Sequence, residues 1–288
     1  MGVRESCFAK TFRLALRVSR YKWWLNRSVT KQKRFSSVPW FVRIFFRAET
    51  QDFENGRCVE LIPRWGARTP HRVVYFHGGA FVLGMLVFHW DMILRIGLRL
   101  RCRIVVGQYP RAPQFGHSDI LRFAERLFLE QEGQSGVSRI SLLGDSAGAT
   151  LALSLVRRLQ QKSLPLPAAL YLLSPWLDLS MSTGQARSLE RGDVILDIEA
   201  LKRYGTWYAR DRSPRDPDLS PHFADYPNLP PTWLFACTSE VFLPDLRDFV
   251  RRHPSVNYHE YQGLFHGWVA TRLPESRAVI DVMARSMP

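Results

Sequence analysis

The sequence predicts an α/β fold with a mainly parallel central sheet, helices on both faces and a small helical cap. Three observations predict it. Short apolar runs alternate along the chain with helix-patterned segments, and that alternation implies parallel strands joined by helical crossovers. The 288 residues suit one α/β domain with room for a cap, and 46% hydrophobic with 23% charged residues is a globular balance. Between residues 140 and 156, an apolar run, a Gly-Asp-Ser-Ala-Gly turn and a helix-like run follow in immediate succession.

The elements follow in chain order. Residues 1–47 form a basic arm with twelve Lys/Arg and one acid, a net of +11, whereas the other 241 residues carry +3 of the total +14. Within it Lys10, Arg13, Arg17 and Arg20 recur at helical spacing, while Phe8, Phe12, Leu16 and Trp23 line another face, flanked by Leu14, Val18, Tyr21 and Leu25. This is an amphipathic cationic helix. Three roles fit it: a cap helix covering the pocket, a membrane-surface helix aided by Trp23, Trp24 and the aromatic stretch 38–46, or a transit peptide. Arginines interrupt every apolar run, which excludes a secretory signal. No recognition motif accompanies the basic residues, so nucleic acid is not an expected partner.

Residues 48–72 read as an edge region with a strand at 58–62. Strands follow at 72–76, 102–107, 140–143, 168–173, 231–237 and 256–261, and helices at 88–101, 117–132, 149–156, 244–252 and 274–286. The insertion at about 179–216 is polar and helical without a strand, and with the arm it would supply the cap. Its apolar candidates are Leu189, Val194, Ile195, Leu201, Tyr204 and Trp207. The organisation expected is therefore an arm at 1–47 and a domain at 48–288. Cys7, Cys58, Cys102 and Cys237 are scattered without pairing or C-x-x-C spacing, which fits a reducing, cytoplasmic compartment and suggests neither a disulfide framework nor a metal site. No run of 18 uncharged apolar residues occurs.

The chemistry centres on Gly144-Asp145-Ser146-Ala147-Gly148. A serine hydroxyl is a weak nucleophile and must be held where a base can take its proton. A G-x-S-x-G placed between strand and helix does this: the sharp turn projects the serine from the sheet, and glycines flank it where bulk cannot fit. The turn needs an oxyanion hole upstream and an acid and a histidine downstream. His77-Gly78-Gly79-Ala80-Phe81, Ser174-Pro175-Trp176-Leu177-Asp178 and His266-Gly267-Trp268 stand in that order around it, with Tyr109-Pro110-Arg111-Ala112-Pro113 between. Together these motifs resemble the hormone-sensitive-lipase-like branch of the α/β-hydrolases, over about residues 70–285.

The resemblance implies the site. Ser146 is the nucleophile and His266 the base. The amides of Gly78, Gly79, Ala80 and Ala147 form the oxyanion hole, and Ala80 replaces a glycine usual in the family. His77 holds the loop rather than moving protons. The acid is Glu240, at the strand-end position of the family's first Asp, with Asp245 as the alternative. Phe81, His89, Trp176 and Trp268 are candidate substrate contacts. No cofactor or metal is called for.

The expected function is a serine carboxylester hydrolase that cleaves short- or medium-acyl esters, acetyl included, of a hydrophobic alcohol. Lactone opening is a variant. A catalytically silent binding protein on the same fold is the alternative from another class, and it would need a broken triad, whereas Ser146 and His266 are both present. The expected partners are a small-molecule ester and, through the arm, a membrane surface; the oligomeric state is left open.

Overall fold

The computed structural model describes residues 5–19, 22, 34–53, 55–134 and 136–287. The expectations placed on Arg20, Tyr21, Trp23, Trp24 and Leu25 lie outside those residues.

Eight strands among the described residues form one sheet: β1 (Phe46–Phe53), β2 (Gly56–Pro63), β3 (His71–Phe76), β4 (Arg103–Gln108), β5 (Arg139–Asp145), β6 (Ala169–Leu173), β7 (Thr232–Cys237) and β8 (Asn257–Tyr261). Their spatial order is β1-β2-β4-β3-β5-β6-β7-β8. β2 runs antiparallel to both β1 and β4, and every pair from β4 onward is parallel. β3 and β6 are buried along their whole length, as expected of parallel strands covered on both faces. β1 has no counterpart in the sequence reading. Its interior, Arg47 to Asp52, is polar and mostly exposed, and only its ends are buried. A solvated edge strand carries no apolar alternation to read; pairing with β2 makes it a strand.

The helices are α1 (Cys7–Val18), α2 (Trp40–Phe45), α3 (Val87–Leu100), α4 (His117–Glu132), α5 (Ala147–Gln161), α6 (Gly184–Leu189), α7 (Ile198–Ala209), α8 (Leu243–Arg252) and α9 (Pro274–Ser286). One face of the sheet packs against α4, α5, α7 and α8 through residues such as Phe76, Phe123, Leu151, Tyr208 and Leu246. The other packs against α1, α3 and α9 through Tyr75, Trp90, Ile96, Ala9 and Ile280. The insertion contains α6 and α7 and no strand.

β3, β5, β6, β7 and β8 are consecutive neighbours and parallel, so their carboxyl ends emerge side by side. The loops leaving them begin at His77, Ser146, Ser174, Thr238 and Gln262. This is the edge where ligand sites of open α/β sheets assemble, and here it gathers segments that begin up to 185 residues apart, from His77 to Gln262.

Candidate active site

The turn from β5 into α5 is tight by steric necessity. A Cβ on Gly148 would stand 2.0 Å from the carbonyl oxygen of Phe76, and one on Gly144 2.5 Å from the backbone of Gly148 and Ala149. Neither neighbour can yield, because both are backbone. Ser146 sits between them at φ 50°, ψ −120°, a conformation that an L residue adopts only when its surroundings enforce it. The amide of Ser146 donates to the Leu173 carbonyl (2.8 Å), and its carbonyl accepts from Thr150 (3.2 Å), which locks the turn between β6 and α5.

Ser146 Oγ lies 3.0 Å from His266 Nε2, and His266 Nδ1 lies 2.8 Å from Glu240 Oε2. Nδ1–H donates to the carboxylate, so in the neutral ring Nε2 is the acceptor that faces the serine hydroxyl. Glu240 is fully buried, and its other oxygen accepts from the Cys237 amide (3.0 Å) and Ser174 Oγ (3.1 Å). Those bonds hold the carboxylate in place and satisfy the charge that burial would otherwise penalise. Ser174 is at φ 47° at the end of β6, which pairs with β5. Asp245 does not join this chain. It lies inside the first turn of α8, bonded to Thr183 Oγ1 and 3.9 Å from His222 Nδ1.

The loop after β3 is held from beneath. Asp145 Oδ1 accepts from Tyr75 OH (2.5 Å) and from the Gly78 amide (2.9 Å). This corrects the sequence reading of Gly78 as an oxyanion donor, because its N–H is already committed to Asp145. A Cβ at Gly78 would come within 2.3 Å of the same carboxylate, so glycine is required there for close approach. His77 Nδ1–H donates to the Gly78 carbonyl (2.7 Å), and its ring stacks on Tyr109, whose hydroxyl donates to the His77 carbonyl (2.6 Å). Burial drives the His77 pKa down to about 3, so the ring stays neutral and serves as loop scaffold. Ala80 and Phe81 adopt φ 51° and 63°. The methyl group of Ala80 is therefore carried in a left-handed conformation that glycine would take without strain. The amides of Gly79, Ala80 and Ala147 have no protein acceptor among the described residues, and Ala147 opens α5, where backbone N–H groups favour negative charge.

A family profile described as alpha/beta hydrolase fold matches residues 73–270. The chain belongs to the α/β-hydrolase family. It is 30% identical to an acetyl-hydrolase of Streptomyces hygroscopicus over 79% of this chain and 78% of that protein. It is 31% identical to an esterase of Acinetobacter venetianus over 68% of this chain and 67% of that one. Among solved structures, an esterase from the bacterial hormone-sensitive lipase family shares the fold, with TM-score 0.81, 22% identity and coverage of 99% and 100%. The His-Gly-Gly and Gly-Asp-Ser-Ala-Gly motifs both lie inside the matched residues, and the relatives this chain is similar to are an acetyl-hydrolase and an esterase.

Above Ser146 and His266 this α/β-hydrolase opens a cavity of about 1100 Å³, its mouth included. Leu83, Leu86, Phe88 and His89 form one wall, Phe265, Ala270 and Thr271 another, and Ile195, Leu196, Ala200, Leu201 and Tyr204 of the insertion a third. Phe12 and Leu16 of α1 complete it, with Phe12 stacked on Phe265 at 5.4 Å. Of the four predicted substrate contacts only His89 lines this cavity; its Nδ1 accepts from the Leu86 amide (3.0 Å) and its Nε2 faces Asp145 at 3.4 Å. The other three are corrected. Phe81 is buried against Tyr208 (3.7 Å, stacked) and Trp176. Trp176 is fully buried and donates to the Asp178 carbonyl (2.8 Å). Trp268 is fully buried against Tyr261. Large aromatics beside a catalytic motif fill the core here, which burial reveals and sequence position does not.

The electrostatics converge on His266. Burial disfavours its protonated form, but the hydrogen bond and charge of Glu240, with the charges of Asp193 and Asp145, outweigh burial and raise its pKa above the ordinary imidazole value. For Asp145 the balance runs the other way round: burial would raise its pKa, and His89, Tyr75 and His77 hold it below the usual carboxylate range. Asp193 is a site residue that sequence reasoning missed. It sits 3% exposed in the insertion, accepts from the amides of Ile195 (2.9 Å) and Leu196 (2.8 Å) on one oxygen, and from the Val241 amide (3.1 Å) on the other. Nothing in a polar insertion distinguishes it from a solvated acid.

Proposed function

We propose that the protein is a serine carboxylester hydrolase acting through an acyl-enzyme. The observation that carries this reading is the unbroken hydrogen-bond chain from Ser146 Oγ through His266 to Glu240, at 3.0 and 2.8 Å. Ser146 attacks the ester carbonyl as its proton passes to His266 Nε2. Glu240 holds the ring in the tautomer that accepts this proton and stabilises the imidazolium. The amides of Gly79, Ala80 and Ala147 donate to the oxyanion, whose charge appears only on the way to the tetrahedral intermediate. His266 then protonates the leaving alcohol, and water activated by the same ring releases the acid.

The substrate is an ester of a small acyl group with a hydrophobic alcohol. The Ala80 methyl narrows the wall beside the oxyanion amides, which favours a short acyl group; the likeness to an acetyl-hydrolase supports the same choice. The remaining wall, from Phe12, Leu16, Phe88, Leu201, Tyr204 and Phe265, suits a large apolar alcohol. Hydrolysis of p-nitrophenyl esters of increasing acyl length tests the reading. Wild type is expected to prefer acetate to butyrate over longer chains, and Ser146→Ala to lose all activity above background. Undiminished turnover by Ser146→Ala would overturn the mechanism, and a long-chain optimum would overturn the substrate class.

A further inference from the structure

α1 is docked by one side only. At 100° per residue Ala9, Phe12, Arg13 and Leu16 share a face. Ala9 is fully buried, Phe12 stacks on Phe265, and the helix start is tied down by the Ser6 amide donating to Glu275 (2.6 Å). The opposite arc carries Phe8, Leu14 and Val18, exposed by 77%, 61% and 75%, with Thr11 and Ala15 between them. Lys10 and Arg17 lie along one border of this apolar stripe. Along the other border is Phe12, 39% exposed, which also lines the cavity; across the mouth, Phe88 is 49% exposed and its neighbour Val87 62%.

We propose that this stripe docks the protein on an anionic lipid surface with the cavity mouth facing the lipid. An apolar stripe with cations along one border fits a helix lying in a membrane interface, where the apolar side chains enter the acyl boundary and the cations meet headgroup charge. Charge selects the occupant. Residues 1–47 carry a net of +11 against +3 for the other 241, so attraction to anions is concentrated in the stretch of sequence that contains the stripe. A second copy of the chain would bring +14 against +14 and is disfavoured. Nucleic acid would leave Phe8, Leu14 and Val18 in water. The consequence for catalysis rests on the esterase reading above: a lipophilic ester dissolved in the surface would reach Ser146 past Phe12 and Phe88 without crossing water.

The test is sedimentation of the full chain with vesicles of phosphatidylcholine alone and of phosphatidylcholine with phosphatidylglycerol. Wild type is expected to sediment with the anionic vesicles and weakly with the neutral ones. Phe8→Ser/Leu14→Ser/Val18→Ser is expected to lose at least about tenfold in partitioning, since three apolar side chains no longer enter the interface. Its hydrolysis of a soluble acetate ester is expected to be unchanged, which shows that it folds. Ser146→Ala is expected to bind vesicles like wild type, so failure of the catalytic reading and failure of this one are separable. Wild type that stays in the supernatant, equal sedimentation with both vesicles, or a triple variant that sediments like wild type would each overturn the proposal. So would a vesicle-free dimer that the triple variant abolishes, because the stripe would then belong to a second copy.

Discussion

Asp193 Oδ2 accepts a hydrogen bond from the amide of Val241, the residue that follows Glu240. One buried carboxylate of the insertion thus braces the turn that carries the acid, while its other oxygen organises Ile195 and Leu196, which line the cavity. One wall of the cavity and the loop whose carboxylate is bonded to His266 are thus joined through a single side chain.

Asp193→Asn tests that link. The amide can keep one set of acceptor bonds but turns a donor toward a donor elsewhere, and an unsatisfied buried amide costs about 1–3 kcal/mol. Expected are a kcat lowered roughly 3- to 10-fold, as follows when a supporting shell is loosened, and an acid limb of the pH–rate profile displaced to lower pH, because Asp193 is one of the charges that raise the His266 pKa. A variant with lowered stability but an unmoved pH profile would show a merely structural residue.

The proposed mechanism makes Glu240 the main determinant of the pH dependence. His266 must be neutral to accept the serine proton, and its pKa lies above 6.5. Activity in wild type is therefore expected to fall as pH drops through a midpoint above that value, read from kcat/KM because that ratio reports the free enzyme. Glu240→Gln removes the main cause of the raised pKa, so its midpoint moves down, while kcat falls about 10²- to 10⁴-fold through loss of the productive tautomer. A midpoint that stays put would break the assignment of Glu240.

Asp245 makes the opposite prediction. Burial, against the hydrogen bond from Thr183, pushes its pKa up from 3.8 to about 6, and its second oxygen has no partner. The folded chain holds this proton more tightly than the unfolded chain between those two pH values. The resulting stabilisation is present at low pH and lost as pH rises through about 6, so the charge is a cost at pH 8. Asp245→Asn is expected to keep esterase activity within about twofold, since it breaks no bond of the Ser146–His266–Glu240 chain. Its Tm should rise by about 2–4 °C at pH 8 and change little at pH 4. A dead but folded Asp245→Asn would return the acid to this position.

Gly148 and Gly184 offer a steric contrast. Gly148→Ala drives a methyl group into the Phe76 carbonyl and is expected to cost more than about 4 kcal/mol, or to prevent recovery of folded protein. Gly184 begins α6 with no atom within 4 Å of a Cβ, so Gly184→Ala is expected to be neutral or to stabilise by up to about 1 kcal/mol. Thermal melts of the two variants decide it.

Much of this molecule is written in local patterns. Apolar runs bounded by turn residues marked seven of the eight strands and placed β3, β5, β6, β7 and β8 in an order that a parallel sheet converts into one working edge. The helix expected at 274–286 is α9, and the insertion is helical as its composition indicated. The nucleophile turn was legible because its demands are local: two glycines, a serine, a strand before and a helix after. β1 was not legible, because an exposed edge strand needs no apolar face.

Tertiary structure alone decided what depends on distance and burial. Glu240 and Asp245 are five residues apart and chemically alike, yet only Glu240 reaches His266, because β7 ends beside β8 and α8 carries Asp245 toward Thr183. Gly78 carries an amide like Gly79, but Asp145 occupies it. Phe81, Trp176 and Trp268 flank the motifs in sequence and fill the core in space. Asp193 looks like any acid in a polar loop until the fold buries it against Val241. Residue types and their spacing determine which chemistry the chain can support. Which atoms meet is a property of packing, and packing sums over contacts that no short stretch of sequence contains.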